Sequence, residues 1–384
     1  MMFPLIPRVR VNYSLIDILR SLFCNEKSFS RRNQLRIELC RLFGVDDILL
    51  TSSGRASIFQ VLKSLPQGRV IVPAYTCKVV VEAALLAGKK VEYASTSKSD
   101  FNISSLPDDI DENTVVVATH QYGIPCDIKE IARLCKCKGA VLLEDCAASL
   151  GSTVDGQLTG AFGEYAIFSF DSSKMITVPS KGGFIIAKDK ENLERIKLST
   201  SLYPSSILYK LKHLTRGCIY IVLKNKCLYR IFHYLTMQRK GQMQLDDHAR
   251  LDLSMGEFYT HSFYEWQAVI ALTQVKELSR IIAKRREIYS FYDKHINNPI
   301  VQKPIYDKES ACIRYAILVK NKADFYNKCL ELGVDMGFSF NHIAAPDSFR
   351  EEHGIAEDVL NLPYYYDMSK EEVNKVVEVI NSIR

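Results

Sequence analysis

The runs AVLLEDCAASLG at 140–151 and YAIFSFDSSKMITVPSKGG at 165–183 decide how the rest of the chain is read. AVLLED is a short apolar segment ending on an acid, Asp145. YAIFSF is a second such segment, and it gives way to a polar turn that carries Lys174. Short apolar runs bounded by turn residues fit buried strands, so Asp145 and Lys174 fall at the carboxyl ends of two strands. Each residue also has an ordinary explanation. The acid could N-cap a helix over Cys146–Leu150, and the lysine could be a solvated turn residue.

Working outward, strand and helix patterns alternate. DDILLTSSG leads through a serine-glycine turn into the helical RASIFQVLKSL, and VIVPAY precedes the helical KVVVEAALLAG. VEYAS and VVVATHQYG are further strands, IKEIARLCKCKG is a helix, and GGFIIAKD at 182–189 is a strand after Lys174. This alternation predicts an α/β fold with a mostly parallel sheet covered on both faces. Ligands in such sheets gather at the carboxyl ends of the strands, and Gly54, Cys77, His120, Asp145 and Lys174 all fall just past a strand end. Amphipathic helices are predicted at SLIDILRSLF and at RRNQLRIELCRLFG, the latter stopped by Gly44. A long helical region is expected from Glu257, then a strand at ACIRYAILVKN, a helix at DFYNKCLELG, and a last helix with a capping box from Ser369 to Glu372.

A lysine at one strand end and an acid at another is the arrangement that pyridoxal 5'-phosphate (PLP) chemistry requires. The amine forms a Schiff base with the cofactor aldehyde, and the carboxylate keeps the pyridine nitrogen protonated so that the ring can draw electrons. TSSGRAS at 51–57, VIVPAYTC at 70–77, THQYGIP at 119–125, EDCAASLG at 144–151 and FSFDSSK at 168–174 occur in one order. Together they resemble the DegT/DnrJ/EryC1/StrS family of PLP-dependent aminotransferases, which act on nucleotide-linked sugars. The resemblance runs from about Asn33 to the C-terminus.

That resemblance implies a fold-type I, aspartate aminotransferase-like PLP-dependent transferase, with a large mostly parallel sheet domain and a smaller α+β C-terminal domain. The corresponding divisions are an N-terminal helical segment at 1–45, a PLP-binding domain at 46–255 and a small domain at 256–384. It implies Lys174 and Asp145 as catalytic residues, and Gly54, Arg55 and Ser169 at the cofactor phosphate. Cys77 would lie at the cofactor face, His120 near it, and no metal is required. It further implies glutamate as amino donor, a nucleotide-sugar acceptor and a homodimer. Several positions depart from the family pattern. Ala148 replaces a glutamine that reaches the cofactor hydroxyl. The turn MITVPSKGG is longer than usual and carries Pro179 and Lys181. The signature that lends a phosphate contact from a partner subunit appears as Thr260, His261, Ser262 and Phe263, and LPYYYD places Tyr364, Tyr365 and Tyr366 where a histidine is usual. These departures leave the substrate open, and a catalytically reduced PLP-fold protein with a regulatory or scaffold role is the alternative.

Bulk properties narrow the class. A chain of 384 residues is long enough for two packed domains, and no apolar run approaches the ~20 residues of a membrane span. The N-terminal MMFPLIPRVRVNYS lacks the apolar core of a secretory signal. Eleven scattered cysteines without zinc-ligand spacing read as reduced thiols, which suits the cytoplasm. The net charge of +6 has one source. Ten Lys and Arg lie between Arg195 and Asp246 with no acid among them, and the remainder carries 40 basic and 44 acidic residues. Segment 195–245 is therefore either a lid or dimer-contact insert, or a membrane-surface or polyanion contact. No recognised motif accompanies the charge, so nucleic acid is not expected as a partner.

Overall fold

Ser14 opens the first helix with a reciprocal cap: its hydroxyl accepts the Asp17 N–H, and the Asp17 carboxylate accepts the Ser14 N–H. That helix is α1 (Leu15–Leu22), and α2 (Ser30–Phe43) follows. α2 stops at Gly44, as the sequence predicts, where a φ of 65° lies in the left-handed region open to glycine. The computed structural model describes residues 4–198, 206–240, 250–305 and 307–384.

Strands and helices then alternate: β1 (Leu49–Thr51), α3 (Gly54–Ser64), β2 (Arg69–Pro73), α4 (Lys78–Leu86), β3 (Lys90–Thr96), β4 (Ile103–Ser105), β5 (Thr114–Thr119), α5 (Ile128–Lys138) and β6 (Val141–Asp145). A small hairpin, β7 (Thr153–Val154) with β8 (Gln157–Leu158), precedes β9 (Tyr165–Phe170) and β10 (Gly182–Ala187). Eight strands form one sheet in the order β1-β10-β9-β6-β5-β2-β3-β4. β3, β2, β5, β6 and β9 run parallel, as the alternation implies. β10 reverses between β9 and β1, which runs with the parallel set, and β4 reverses at the other edge, so the sheet is mixed. Chain length explains the reversal at β10. Only residues 171–181 join it to β9, whereas a parallel return takes a crossover of roughly a dozen residues or more, usually helical. Period-two alternation divides the side chains between two helical layers. Val70, Val72, Val115 and Val117 pack with α3 and α4, and Ile71, Val116, Ala118 and Leu142 pack with α5.

The basic segment forms the end of α6 (Lys190–Leu198), α7 (Ile207–Val222) and α8 (Lys226–Lys240). Its residues 199–205 and 241–245 lie outside the described ones. Many of its described cations bind the rest of the chain. Buried Lys210 reaches Glu26 at 3.4 Å, Lys212 pairs with Glu257 at 3.1 Å, and Lys226 pairs with Glu372 at 3.2 Å. Lys224 donates to the Tyr13 carbonyl and Arg230 to the Leu330 carbonyl. What these helices expose is largely apolar: Leu208, Leu211, Ile219 and Val222 on α7, and Leu228, Ile231, Phe232 and Leu235 on α8. On α1, which packs against α7, Leu15, Ile16 and Leu19 are exposed as well.

The helical region expected from Glu257 is divided into α9 (Glu257–Thr260), α10 (Glu265–Lys276) and α11 (Leu278–His295), and α10 packs on α1 and α2. A second sheet follows, antiparallel, in the order β11 (Val301–Gln302), β12 (Tyr315–Val319), β13 (Val359–Leu362). It carries α12 (Lys322–Glu331), α13 (Arg350–Asp358) and α14 (Lys370–Ser382), and α14 starts with the predicted Ser369–Glu372 capping box. Its apolar core runs on into Tyr75, Phe101 and Tyr122 beside the large sheet. Among the described residues, no helix is long and apolar enough to cross a membrane.

Candidate active site

Ser53 caps α3 by accepting the Ala56 N–H, so Gly54 and Arg55 begin a helix at the carboxyl edge of the large sheet. A β-carbon on Gly54 would stand 2.8 Å from Ser169 Cβ and 2.9 Å from its hydroxyl. Only glycine lets the helix start descend beside β9. Gly183 approaches from β10, where a β-carbon would lie 3.1 Å from the Gly54 nitrogen. A helix N-terminus and a serine hydroxyl thus meet in a cradle that suits a phosphate.

β6 delivers Asp145, which is 5% exposed. The helix that could have used it as a cap does not form: Cys146–Leu150 is turn, and the Asp145 carboxylate accepts the Ala147 N–H at 3.0 Å. Burial pushes this carboxyl up, while the Ala147 N–H, Lys174 and His120 pull it down. Lys174 sits in a turn closed by its own N–H on the Asp171 carbonyl at 3.0 Å. Desolvation pushes its amine below the usual lysine range, against the opposing pull of Asp145.

Asp145 and Lys174 line one cavity of about 250 Å³, together with Gly54, Arg55, Cys77 and Ser169. His120, expected near a cofactor, does not itself line this cavity. Its Nδ1 takes the Cys126 N–H at 3.2 Å, and its Nε2 lies 3.1 Å from Glu144. Glu144 in turn accepts N–H bonds from Gly160, Phe162 and Gly163. His120 is fully buried and braces the strand ends from behind, its own N–H donating to the Asp145 carbonyl. The neighbouring residue faces the cavity instead. Gln121 lines it, and its buried Nε2 meets no acceptor with hydrogen-bond geometry. Thr76 Oγ1, on the same wall, is buried without a hydrogen-bond partner among the described residues. Arg314, just ahead of β12, brings a cation from the small sheet, and Asp171 and Lys181 complete the polar lining. Sequence reasoning passed over Gln121 and Asp171, although the period-two rule at the end of β5 marks Gln121 as the partner of whichever way His120 points.

The departures from the family pattern have places too. Ala148 lines the cavity with a methyl group. His261 stacks on Tyr209 at 4.5 Å, and Phe263 packs on Phe170 at 6.1 Å, so these two are used within the chain. The Tyr364 hydroxyl donates to the Arg285 carbonyl at 2.8 Å, and the Arg10 guanidinium lies 4.6 Å above the Tyr365 ring.

The residues present fit PLP: an amine and a carboxylate share the cavity, a phosphate cradle adjoins them, and orphaned polar atoms of Thr76 and Gln121 await ligand heteroatoms. With the doubly covered sheet and the small antiparallel one, this arrangement defines a fold-type I PLP-dependent transferase. The chain belongs to the DegT/DnrJ/EryC1/StrS aminotransferase family, whose profile matches residues 15–381, and it is a PLP-dependent aminotransferase. It is similar to the GDP-perosamine synthase of Escherichia coli O157:H7, at 26% identity over 81% of this chain and 78% of the relative. It is equally similar, at 26% over 93% of this chain and 90% of the relative, to a UDP-N-acetyl-3-dehydro-alpha-D-glucosamine 3-aminotransferase of Acidithiobacillus ferrooxidans. The crystal structure of NtdA from Bacillus subtilis with bound cofactor PMP shares the fold, with a TM-score of 0.72 at 18% identity, covering 98% of this chain and 84% of that one.

Proposed function

We propose that this aminotransferase moves an amino group from glutamate to a keto sugar carried on a nucleotide, in the cytoplasm, for cell-surface polysaccharide or related sugar biosynthesis. The observation that carries the chemistry is the placement of Lys174 and Asp145 in one cavity at the strand ends. The relatives' names, one a GDP-sugar and one a UDP-sugar enzyme, support the acceptor class. A volume of about 250 Å³ is small beside the ~300–1,000 Å³ of pockets that enclose drug-sized ligands, so the nucleotide would lie outside this cavity. The free thiols support a reducing compartment.

When bound, PLP supplies an aldehyde for covalent attachment and a ring that withdraws electrons from the substrate. The chain supplies the rest. Because burial lowers the pKa of Lys174, more of its amine is unprotonated near neutral pH than an exposed lysine would offer, which suits a nucleophile and proton carrier. Asp145 would keep the ring nitrogen protonated. Gly54, Arg55 and Ser169 would hold the phosphate, and Gln121 Nε2 would offer the ligand a hydrogen bond that the Ala148 methyl cannot. Adding L-glutamate to the purified protein is expected to bleach its visible absorbance band. Asp145→Asn, which cannot keep the nitrogen protonated, is expected to slow that half-reaction by roughly 10²–10⁴-fold. A band that persists with glutamate in the wild type would favour the scaffold alternative, and an unimpaired Asp145→Asn would remove that residue from the machinery.

The same reading includes a homodimer. We place the second copy on the apolar faces of α1, α7 and α8 rather than a lipid surface, because Lys210, Lys212, Lys224, Lys226 and Arg230 are held within the chain. Sedimentation equilibrium is expected to give twice the chain mass, with Leu208→Glu/Leu211→Glu shifting it toward monomer. A wild-type monomer at micromolar concentration rules the dimer out.

A further inference from the structure

We propose that Lys181 is a cofactor-phosphate ligand supplied by the chain's own turn, an inference that rests on the PLP reading above. β9 and β10 pair Ser169 with Gly183 and Phe170 with Gly182. One step further, Lys181 and Asp171 form an ion pair at 3.5 Å. Residues two apart on a strand share a face, so Lys181 continues the row of Gly183, and Asp171 that of Ser169, on the side where Gly54 begins α3. Both charged residues line the cavity. The Lys181 amine lies 4.5 Å above the ring of Phe258, and the Arg55 guanidinium lies 5.8 Å from the same ring. Phe258 is itself fastened to the cradle, its carbonyl accepting the Ser52 and Ser53 hydroxyls at 2.8 and 2.7 Å. Two cations are therefore held against one aromatic platform beside the helix start. The backbone at Lys181 has a φ of 152°, at the edge of the region that side-chain-bearing residues avoid. A glycine would adopt it freely, yet a lysine stands there, bonded through its carbonyl to Gln267 at 2.7 Å. With no Lys or Arg in Thr260–Phe263, and His261 stacked on Tyr209, Lys181 joins Arg55 as the second cation that this chain brings to the phosphate. On binding, the phosphate takes over from Asp171 as the lysine's counter-ion.

The test is a spectroscopic titration of the full-length protein, freed of cofactor, with PLP and with pyridoxal, which lacks the phosphate. Lys181→Met is expected to loosen PLP about tenfold to a hundredfold and to leave pyridoxal unchanged, and Lys181→Arg to restore most of the loss. Equal PLP affinity in wild type and Lys181→Met, or equal loosening of both compounds, overturns the inference. So does a Lys181→Met protein that holds PLP normally but loses affinity for a nucleoside diphosphate, which would assign the lysine to the substrate. A wild type that takes up neither PLP nor pyridoxal overturns the cofactor reading as well.

Discussion

Lys174→Ala is expected to lose the visible absorbance band and to drop turnover by roughly ten-thousand-fold or more. Within the cavity, Lys181 and Arg314 are the other strong cations besides Arg55. Guanidinium groups such as those of Arg55 and Arg314 are poor proton carriers, and Lys181 is committed to Asp171 and the Phe258 ring, so none of the three can replace an amine that must shed and regain a proton. The loss should come from chemistry and not from folding. The Lys174 backbone closes its turn through an N–H that alanine keeps, and desolvation already works against the lysine charge. Removing that charge should leave the melting temperature unchanged or raise it. The sign of the pH dependence follows. With the folded pKa below 10.5, the unfolded chain binds more protons over the interval between the two values, so wild-type stability gains a component as pH rises through it. Lys174→Ala lacks that component. Paired urea titrations of the cofactor-free proteins at neutral and alkaline pH read it out, and a variant that still transaminates would sink the assignment.

Asp335→Ala should be the most destabilising of the single substitutions discussed, at roughly 3–5 kcal/mol. The Asp335 side chain is fully buried. It accepts Arg8 Nε at 2.6 Å and Nη2 at 2.8 Å, the Tyr229 hydroxyl at 2.6 Å and the Tyr326 hydroxyl at 3.1 Å. One carboxylate thus joins the N-terminal arm, α8 and α12. Truncating it strands the Arg8 guanidinium and two hydroxyls without their acceptor. Arg8→Met/Asp335→Leu, which removes both charges, is expected to recover a large part of the loss. Urea unfolding measures both variants, and a cost below about 1 kcal/mol for Asp335→Ala would show that this junction contributes little.

The parts of the site legible in the sequence are local ones. Asp145, Lys174, Gly54 and Ser169 each sit at or next to a strand end, where a few neighbouring residues suffice to place them, and all four reach the cavity. His120 shows the limit of that reasoning. A position just past a strand is readable, but the side to which its ring turns depends on Glu144 and Cys126, whose bonds draw it away. Composition likewise revealed the positive charge of 195–245 but not its destination. The partners of Lys210, Lys226 and Arg230 are Glu26, Glu372 and the Leu330 carbonyl, remote in the chain. The antiparallel course of β10 is legible in the short 171–181 connection, and the expected mostly parallel sheet accommodates it.

The contact between Gly54 and Ser169 couples two sites that drift would otherwise treat as independent. Any mutation adding carbon at the first must be preceded by shrinkage or displacement at the second. Substitutions there are therefore order-dependent, and a lineage can cross that step only after the β9 backbone shifts or position 169 loses its β-carbon.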